Sequence, residues 1–381
     1  MGYILNEEQM ELVNLAKKFA EQEVKPIAAE CDREGKLPME AYRKGVEIGF
    51  NALEIPEEYG GAGADYYTIA AVMEEFAKVD AGFATGIGAS SLALKPVLIA
   101  GTPEQKKYFA DFITGDKGNG FAAFGLTEPD AGSDAAAGKT IAVKDGDEWV
   151  INGRKCFITN AGLASIFVIF AITDKTRGTR GISAFIVERD RPGLSIGKEE
   201  DKMGIRLSNT ADVILEDVRV PEDHLLGELG KGFVYAMQTL DLARPTVASM
   251  AVGVAQRALE EATAYAKQRV TFGKPIINHQ AIMFKLADMD MKTEVARSAI
   301  KNFYDIYYSG RKNFSREAAI AKCFAGDISV EVALDAIQIL GGYGYSREYP
   351  VEKLLRDAKI MQIYEGTNEV QRMVIGGALM R

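Results

Sequence analysis

The hydrophobic period changes twice along this chain, and that order limits the fold more than any single motif. From about residue 6 to 120, apolar residues recur at helical spacing. NEEQMELVNLAKKFAEQEVKPIAAEC keeps an i, i+3, i+4 stripe past Pro26. PEEYGGAGADY is a glycine-rich loop, and YTIAAVMEEFAKVD and TPEQKKYFADFITG are helical again. Thr102 suits an N-cap, with Glu104 and Gln105 in the first turn. Near residue 121 the pattern turns to short β-prone runs. SIFVIFAIT, GISAFIVE and ADVILEDVRVP are separated by turn residues, and the Asn152-Gly153 pair in DEWVINGRKCFITN is a hairpin signal. About 110 residues of this kind predict a small β-barrel or sandwich. From about 231 the helical period returns in long amphipathic stretches, enough for a bundle of four or five helices. The expectation is an α+β multi-domain chain: an N-terminal helical domain (1–120), a middle β-barrel (121–231) and a C-terminal four-helix bundle (232–381).

Composition removes several function classes. Hydrophobic residues at 47% and charged residues at 26% describe an ordinary globular protein. Net charge is −9 with no basic block, so nucleic-acid binding is not expected. Cys31, Cys156 and Cys323 are far apart and form no metal or disulfide pattern, which suits a reducing cytoplasm. His224 and His279 are isolated, which disfavours a histidine-based triad or metal centre. The start, MGYILNEEQMEL, reads as a charged helix and not a signal peptide. The longest apolar stretch, roughly Leu163 to Thr173, is too short to span a bilayer. No GxxxxGK loop occurs, and neither GGYGY nor GIG follows a strand, so a Rossmann domain is disfavoured.

One carboxylate stands apart. Glu365 lies between Tyr364 and Gly366, with helical patterns on both sides. Gly366 breaks the first pattern, and Thr367 or Asn368 can cap the second. A carboxylate in such a corner, beside apolar neighbours, has a raised pKa and is suited to take a proton. The plainer reading is an exposed loop Glu.

Five segments keep company with it. Phe124–Asp134 (FGLTEPDAGSD) is a turn-rich loop whose Thr127, Ser133 and free N–H groups can bind a phosphate or a heterocycle edge, or serve only as a sheet loop. Asn152–Asn160 places Phe157 and Thr159 on one strand face, fit for a flat ring system or simply half-buried. Asp241–Thr246 carries Arg244 beside Pro245, which is expected to kink its helix and turn the Arg into a cleft. Arg269–Ile276, followed by His279-Gln280, offers an Arg and an aromatic at a helix end. Gln338–Gly344 has Gly341 and Gly342, which permit close backbone approach and also suit a helix C-cap.

Taken in this order, LTEPDAGSD, NGRKCFITN, RVTFGKPI, QILGGYG and YEGT resemble the signatures of the acyl-CoA dehydrogenase family along the whole chain. The ending YEGTNEVQRMVIGGALMR is similar to that of bacterial butyryl-CoA dehydrogenases. The resemblance implies non-covalent FAD, a homotetramer, and electron transfer to an electron-transferring flavoprotein. It implies flavin contacts from Phe124, Leu126, Thr127, Ser133, Phe157, Ile158 and Thr159. It further implies contacts across a subunit interface from Arg269, Thr271, Phe272, Gln280, Gln338, Gly341 and Gly342, with Thr367 and Glu369 closing the site. Ser133, Asp241, Arg244 and Gly366 are implied on the acyl-CoA side.

The implied reaction is α,β-dehydrogenation of a short- or medium-chain acyl-CoA to the trans-2-enoyl-CoA. Glu365 takes the α-proton, and the β-hydrogen leaves as hydride to flavin N5. The Glu365 N–H and a flavin ribityl hydroxyl would steady the thioester carbonyl. Some relatives carry the base just before the Arg of the DLAR-like segment; here that residue is Ala243, which selects Glu365. The main alternative is an enoyl-CoA reductase running in reverse with an electron-transferring flavoprotein, on an aromatic or cyclic acyl group among others. An oxidase, and a non-catalytic flavin- or CoA-binding scaffold, are further alternatives.

Overall fold

A computed structural model describes residues 5–380. The first four residues of the expected N-terminal helix, Met1 to Ile4, lie outside the described residues, as does Arg381. Six helices come first: α1 (Glu7–Phe19), α2 (Lys25–Glu34), α3 (Met39–Ile48), α4 (Tyr66–Val79), α5 (Ala81–Ala100) and α6 (Pro103–Thr114). Local chemistry sets their starts. Asn6 and Thr102 close capping boxes with Gln9 and Gln105, and Asp65 and Asp80 cap α4 and α5 through their carboxylates. A five-residue π-helical segment joins α1 to α2 just before Pro26, whose ring nitrogen can donate no backbone bond.

The strands follow: β1 (Ala122–Gly125), β2 (Ile141–Asp145), β3 (Glu148–Thr159), β4 (Ile166–Ile172), β5 (Ile182–Glu188), β6 (Leu194–Glu199), β7 (Thr210–Pro221) and β8 (Leu225–Leu226). They pair in the order β6-β7-β3-β2-β4-β5-β8, with β1 parallel to β4. Among the described residues β6 and β8 are not paired to each other, so the expected barrel is an open eight-stranded sheet. The expected hairpin turn at Asn152-Gly153 is also corrected. That pair lies inside β3 at a register shift against β7, and the tight turn is at Gly146, between β2 and β3. Gly153 is needed there because a Cβ would stand 2.4 Å from Thr140 Oγ1. Strand β4 is apolar throughout because both faces are covered. Ile166, Val168 and Phe170 join the core beneath α5 and α6, while Phe167, Ile169 and Ala171 join the opposite core with Trp149 and Phe185.

Helix α7 (Gly232–Gln268) opens the last part, followed by a two-residue pair of strands, β9 (Val270–Thr271) and β10 (Lys274–Pro275). Then come α8 (Gln280–Tyr308), α9 (Ser315–Leu340), α10 (Val351–Ile360) and α11 (Asn368–Leu379). α7 stays helical through Pro245. α4 packs on α7, so one apolar core, from Val13 through Phe76, Ala251 and Ile300 to Met361, joins the first and last helical parts. Among the described residues α5 is the one helix long and apolar enough to cross a membrane, a stretch the apolar run at Leu163 to Thr173 does not reveal. It is instead a core helix, with Phe83 and Ile87 in one core and Leu94 and Val97 in another.

Candidate active site

Glu365 occupies the reversal between α10 and α11. Val351, Leu354 and Ala358 anchor α10 in the core. Glu365 (φ 56°) and Gly366 (φ 87°) are then both left-handed, and Thr367 caps α11 by accepting from Val370 N at 3.3 Å. A left-handed Glu is strained backbone, of the kind that persists where the surroundings over-determine it. Here they do. The Glu365 carbonyl accepts from Gln371 Nε2 at 3.2 Å and Arg244 Nε at 3.5 Å. The Gly366 carbonyl accepts from Lys322 Nζ and Gln371 Nε2, both at 2.8 Å. Lys322 also donates to Asn368 Oδ1 at 3.0 Å, and Asn368 donates to the Cys323 carbonyl at 3.0 Å.

The carboxylate itself is left free. Glu365 Oε2 is closed to solvent and has no hydrogen-bond partner. Burial pushes its pKa above the ordinary carboxylate value, opposed by the positive charges of Arg244, Lys322 and Lys95 in that order. Burial likewise pushes Lys322 down to about 8. Arg244 is buried, with Nη1 on Asp241 Oδ1 at 2.6 Å, and Ser315 Oγ donates to the other Asp241 oxygen. Burial also raises the Asp241 pKa, against Ser315 and Arg244. Asp241, Arg244, Gly366 and Thr367 thus gather around Glu365, and the Arg braces the corner through its carbonyl.

A second cluster forms on the sheet. Cys156 N donates to Thr127 O at 3.0 Å, and Lys155 Nζ donates to Leu126 O at 3.2 Å and to Glu128 at 2.7 Å. The Lys155–Glu128 pair is almost wholly buried and lashes the LTEP loop to β3. Next to it Phe157, at φ 55°, turns its ring outward and is 66% exposed, while Ile158 enters the core and Thr159 is half-buried. Asn160 Nδ2 anchors this end of β3 to the Gly86 carbonyl of α5 at 2.8 Å. Ser133 is exposed on the loop, and Phe124 packs on Phe170, centroids 5.0 Å apart.

The third cluster lies around a cavity of about 660 Å³ lined by Arg269, Thr271, Gly341, Gly342 and Tyr343, among others. The Arg269 guanidinium sits 5.9 Å from the Tyr343 ring centroid. A Cβ at Gly341 or Gly342 would meet nothing within 4 Å, so this wall is open. Phe272 stands 96% exposed at φ 49° beside it. Gln280, Gln338 and Glu369 are exposed and outside this lining. Sequence reasoning missed Lys155, Glu128, Lys322 and Gln371. A lone cation within an apolar helical run, as in AAIAKCFAG, is the signal that points to Lys322.

Helical parts sharing a core beside a sheet, with one strained glutamate where they meet, make the helix–sheet–helix architecture of a flavin-dependent dehydrogenase. The chain belongs to the acyl-CoA dehydrogenase family: the family's N-terminal, middle and C-terminal domain models match residues 6–116, 123–218 and 230–380. It is 46% identical to butyryl-CoA dehydrogenase from Megasphaera elsdenii, with a TM-score of 0.95 and the whole of both chains covered. The same identity, TM-score and coverage hold for a chain in the structure described as the electron transferring flavoprotein of Acidaminococcus fermentans. A 3-(aryl)acrylate reductase from Clostridium sporogenes is 46% identical over 379 residues, covering 98% of this chain and 99% of that protein. The chain is therefore an oxidoreductase acting on a CH–CH group, with FAD as its cofactor. The outward Phe157 ring, the open glycine wall and Arg269 suit a flat, anionic cofactor of this kind.

Proposed function

We propose that this protein dehydrogenates a short- or medium-chain acyl-CoA at Cα–Cβ, with Glu365 as the base. The observation that carries this reading is the Glu365 carboxylate: its Oε2 is closed to solvent and without a hydrogen-bond partner, and its pKa is raised by desolvation. An acceptor held this way has a free lone pair for a proton, and a raised pKa narrows the gap to a weak carbon acid. Lys322, Gln371 and Arg244 hold the backbone of the corner, so that the carboxylate and the Glu365 N–H keep one orientation toward a thioester. FAD, when bound, supplies the hydride acceptor. We assign Leu126, Thr127, Phe157, Ile158 and Thr159 to its ring end, with Phe124 and Ser133 beside them. Arg269, Thr271, Phe272, Gln280, Gln338, Gly341 and Gly342 belong to the part held across a subunit contact, with Thr367 and Glu369 near the closing corner. Ser133, Asp241, Arg244 and Gly366 lie on the acyl-CoA side.

The remaining assignments follow. Residues 1–120, 121–231 and 232–381 are taken as the domains, supported by the change from helix to strand after Thr114 and back at Gly232. A homotetramer is supported by Phe272 and by exposed apolar side chains on α8 and α11, among them Phe284, Met291, Met373 and Leu379. An electron-transferring flavoprotein as partner is supported by the Acidaminococcus likeness. A cytoplasmic location fits the free cysteines. Reductive operation on an enoyl-CoA, with an aromatic acyl group among the candidates, is a second reading favoured by the 3-(aryl)acrylate reductase likeness.

Glu365→Gln tests the base. Acyl-CoA turnover is expected to fall by about 10³–10⁴-fold with FAD content unchanged. Near-normal turnover in that variant would overturn the assignment.

A further inference from the structure

Lys155 and Glu128 pair at 2.7 Å between β3 and the LTEP loop, with both side chains almost wholly buried. A buried ion pair is a poor stabilising device, because desolvation offsets most of its attraction. The loop has other ties. The Glu128 carboxylate accepts from Thr140 N at 3.1 Å and Lys139 N at 2.5 Å, and the Glu128 and Ala131 backbones exchange two further bonds. Cys156 N holds the Thr127 carbonyl from β3 at 3.0 Å. Closing the loop does not by itself call for a buried ammonium.

What the ammonium adds is a bond to one particular carbonyl. Lys155 Nζ donates to Leu126 O at 3.2 Å. That carbonyl shares a peptide plane with the Thr127 N–H, and every peptide bond among the described residues is trans. A C=O drawn inward to Lys155 therefore turns the Thr127 N–H the opposite way, out from the buried pair. Thr127 is half-buried, and its N–H has no acceptor among the described residues. A charged donor on the carbonyl also polarises the peptide, which makes its N–H a stronger donor. β3 is shaped around the same arrangement. Its register against β7 shifts between Lys155 and Ile158, and Phe157, at φ 55°, turns its ring outward while Lys155 stays inside. Burial raises the Glu128 pKa, but Lys155 and the Lys139 N–H outweigh it and hold the carboxyl below its ordinary value, so the ammonium keeps a fixed counter-charge.

We propose that Lys155, anchored by Glu128, is a positioning residue: it aims and strengthens the Thr127 N–H as a donor to the flavin ring and so raises the flavin's reduction potential. The proposal rests on the placement of the ring beside Leu126, Thr127 and Phe157 given above. Neither Lys155 nor Glu128 reaches the surface, so both act through the loop backbone and not by touching the cofactor. A donor aimed at the ring is worth more once the ring has gained an electron pair, because its acceptor atoms then carry more negative charge. The pair therefore favours the reduced cofactor over the oxidised one.

Two variants test this as FAD-loaded protein without acyl-CoA, each equilibrated with a reference dye of known potential. Lys155→Met keeps most of the side chain's length and removes its charge. Lys155→Met/Glu128→Gln also removes the counter-charge, so that no buried charge is left unpaired. At a fixed dye potential the ratio of reduced to oxidised flavin is expected to fall about tenfold in both, which is about 30 mV for a two-electron couple. A pair that served only to staple the loop would leave that ratio normal in a folded double variant. A ratio within about twofold of the unaltered protein there would overturn the proposal. Should the double variant not fold, the single variant is read in the same way. Phe157→Trp tests the placement of the ring separately: an indole against the flavin is expected to quench its fluorescence at least about threefold. Unchanged fluorescence would overturn the placement and the proposal with it, whereas quenching alongside a normal ratio in the Lys155 variants would overturn the proposal alone.

Discussion

At Glu365, backbone and charge act together. Its strained φ is held by three side chains that meet the corner through its backbone carbonyls, and Glu365 Oε2 remains unpartnered. Lys322 has two effects, fixing the Gly366 carbonyl and lowering the Glu365 pKa. In Lys322→Met the carboxylate loses a stabilising cation, so its pKa rises further and the acid limb of the kcat/KM profile moves to higher pH. Turnover falls about tenfold as the corner loosens. In the unaltered enzyme Lys322 itself loses its proton near pH 8, so the electrostatic part of the difference narrows above that pH. An acid limb that stays in place would leave Lys322 a purely mechanical brace. The same raised pKa bears on stability. The native state holds the Glu365 proton more tightly than the unfolded chain does. That contribution is therefore complete below the unfolded carboxylate pKa, about 4.3, and is lost as pH rises through the higher folded value. Glu365→Gln is thus expected to melt higher than the unaltered protein at pH 8 and to converge with it toward pH 4, as followed by thermal scans. Glu365 was legible in the sequence because it stands between two helical patterns, beside the glycine that breaks the first. Lys322 and Gln371 were not, because their purpose appears only when α9 and α11 are laid beside the corner.

Among elements, α5 and β3 show what periodicity reveals and what it conceals. The apolar runs of β4 and β5 were readable as strands, since covering both faces leaves an unbroken hydrophobic signature. Asn152-Gly153 misled, because a bulge needs the same permissive glycine as a turn. Whether the sheet closes depends on how its edge strands β6 and β8 lie, which no local pattern records. In α5, Gly86 admits Tyr42: a Cβ there would lie 1.9 Å from Tyr42 Oη, which donates to the Leu207 carbonyl at 2.9 Å. The Gly86 carbonyl also receives Asn160, at the end of the strand assigned to the flavin. Gly86→Ala must displace the Tyr42 ring from its stack on Phe83 and push on β3. It is expected to cost about 1–3 kcal/mol by denaturant unfolding and to lower FAD retention on gel filtration. Full FAD retention with lost stability would separate the packing role from the strand it supports.

Across the whole molecule, the start of α10 ties the three parts of the chain together just before it leads into the Glu365 corner. Lys353 Nζ lies 2.7 Å from Asp80 Oδ2, an ion-pair contact without an aligned hydrogen bond, and also meets Asp357. Asp80 caps α5, and Asp357 Oδ1 accepts from Ile205 N at 2.6 Å, in the segment after β6. One turn on from Glu352, Arg356 holds Asp32 of α2 at 2.6 Å and the Met203 carbonyl at 3.1 Å. First helices, sheet and last helices therefore meet at two cations spaced three residues apart. Burial raises the Asp357 pKa and Lys353 opposes it, so removing the cation leaves two buried carboxyls without compensation. Lys353→Met is expected to lose about 3–5 kcal/mol at pH 8, where the Asp357 carboxyl favours ionisation in the unfolded chain. As pH falls the unpaired Asp357 carboxyl takes up a proton in the native state, so the loss shrinks, and at pH 5 the variant should recover much of its melting temperature. Lys353→Met/Asp357→Asn removes one of the two buried charges and should regain stability at pH 8 without acid. Thermal unfolding at both pH values decides the matter: an equal loss at pH 8 and pH 5 would mean that Lys353 acts by its bulk and not by its charge.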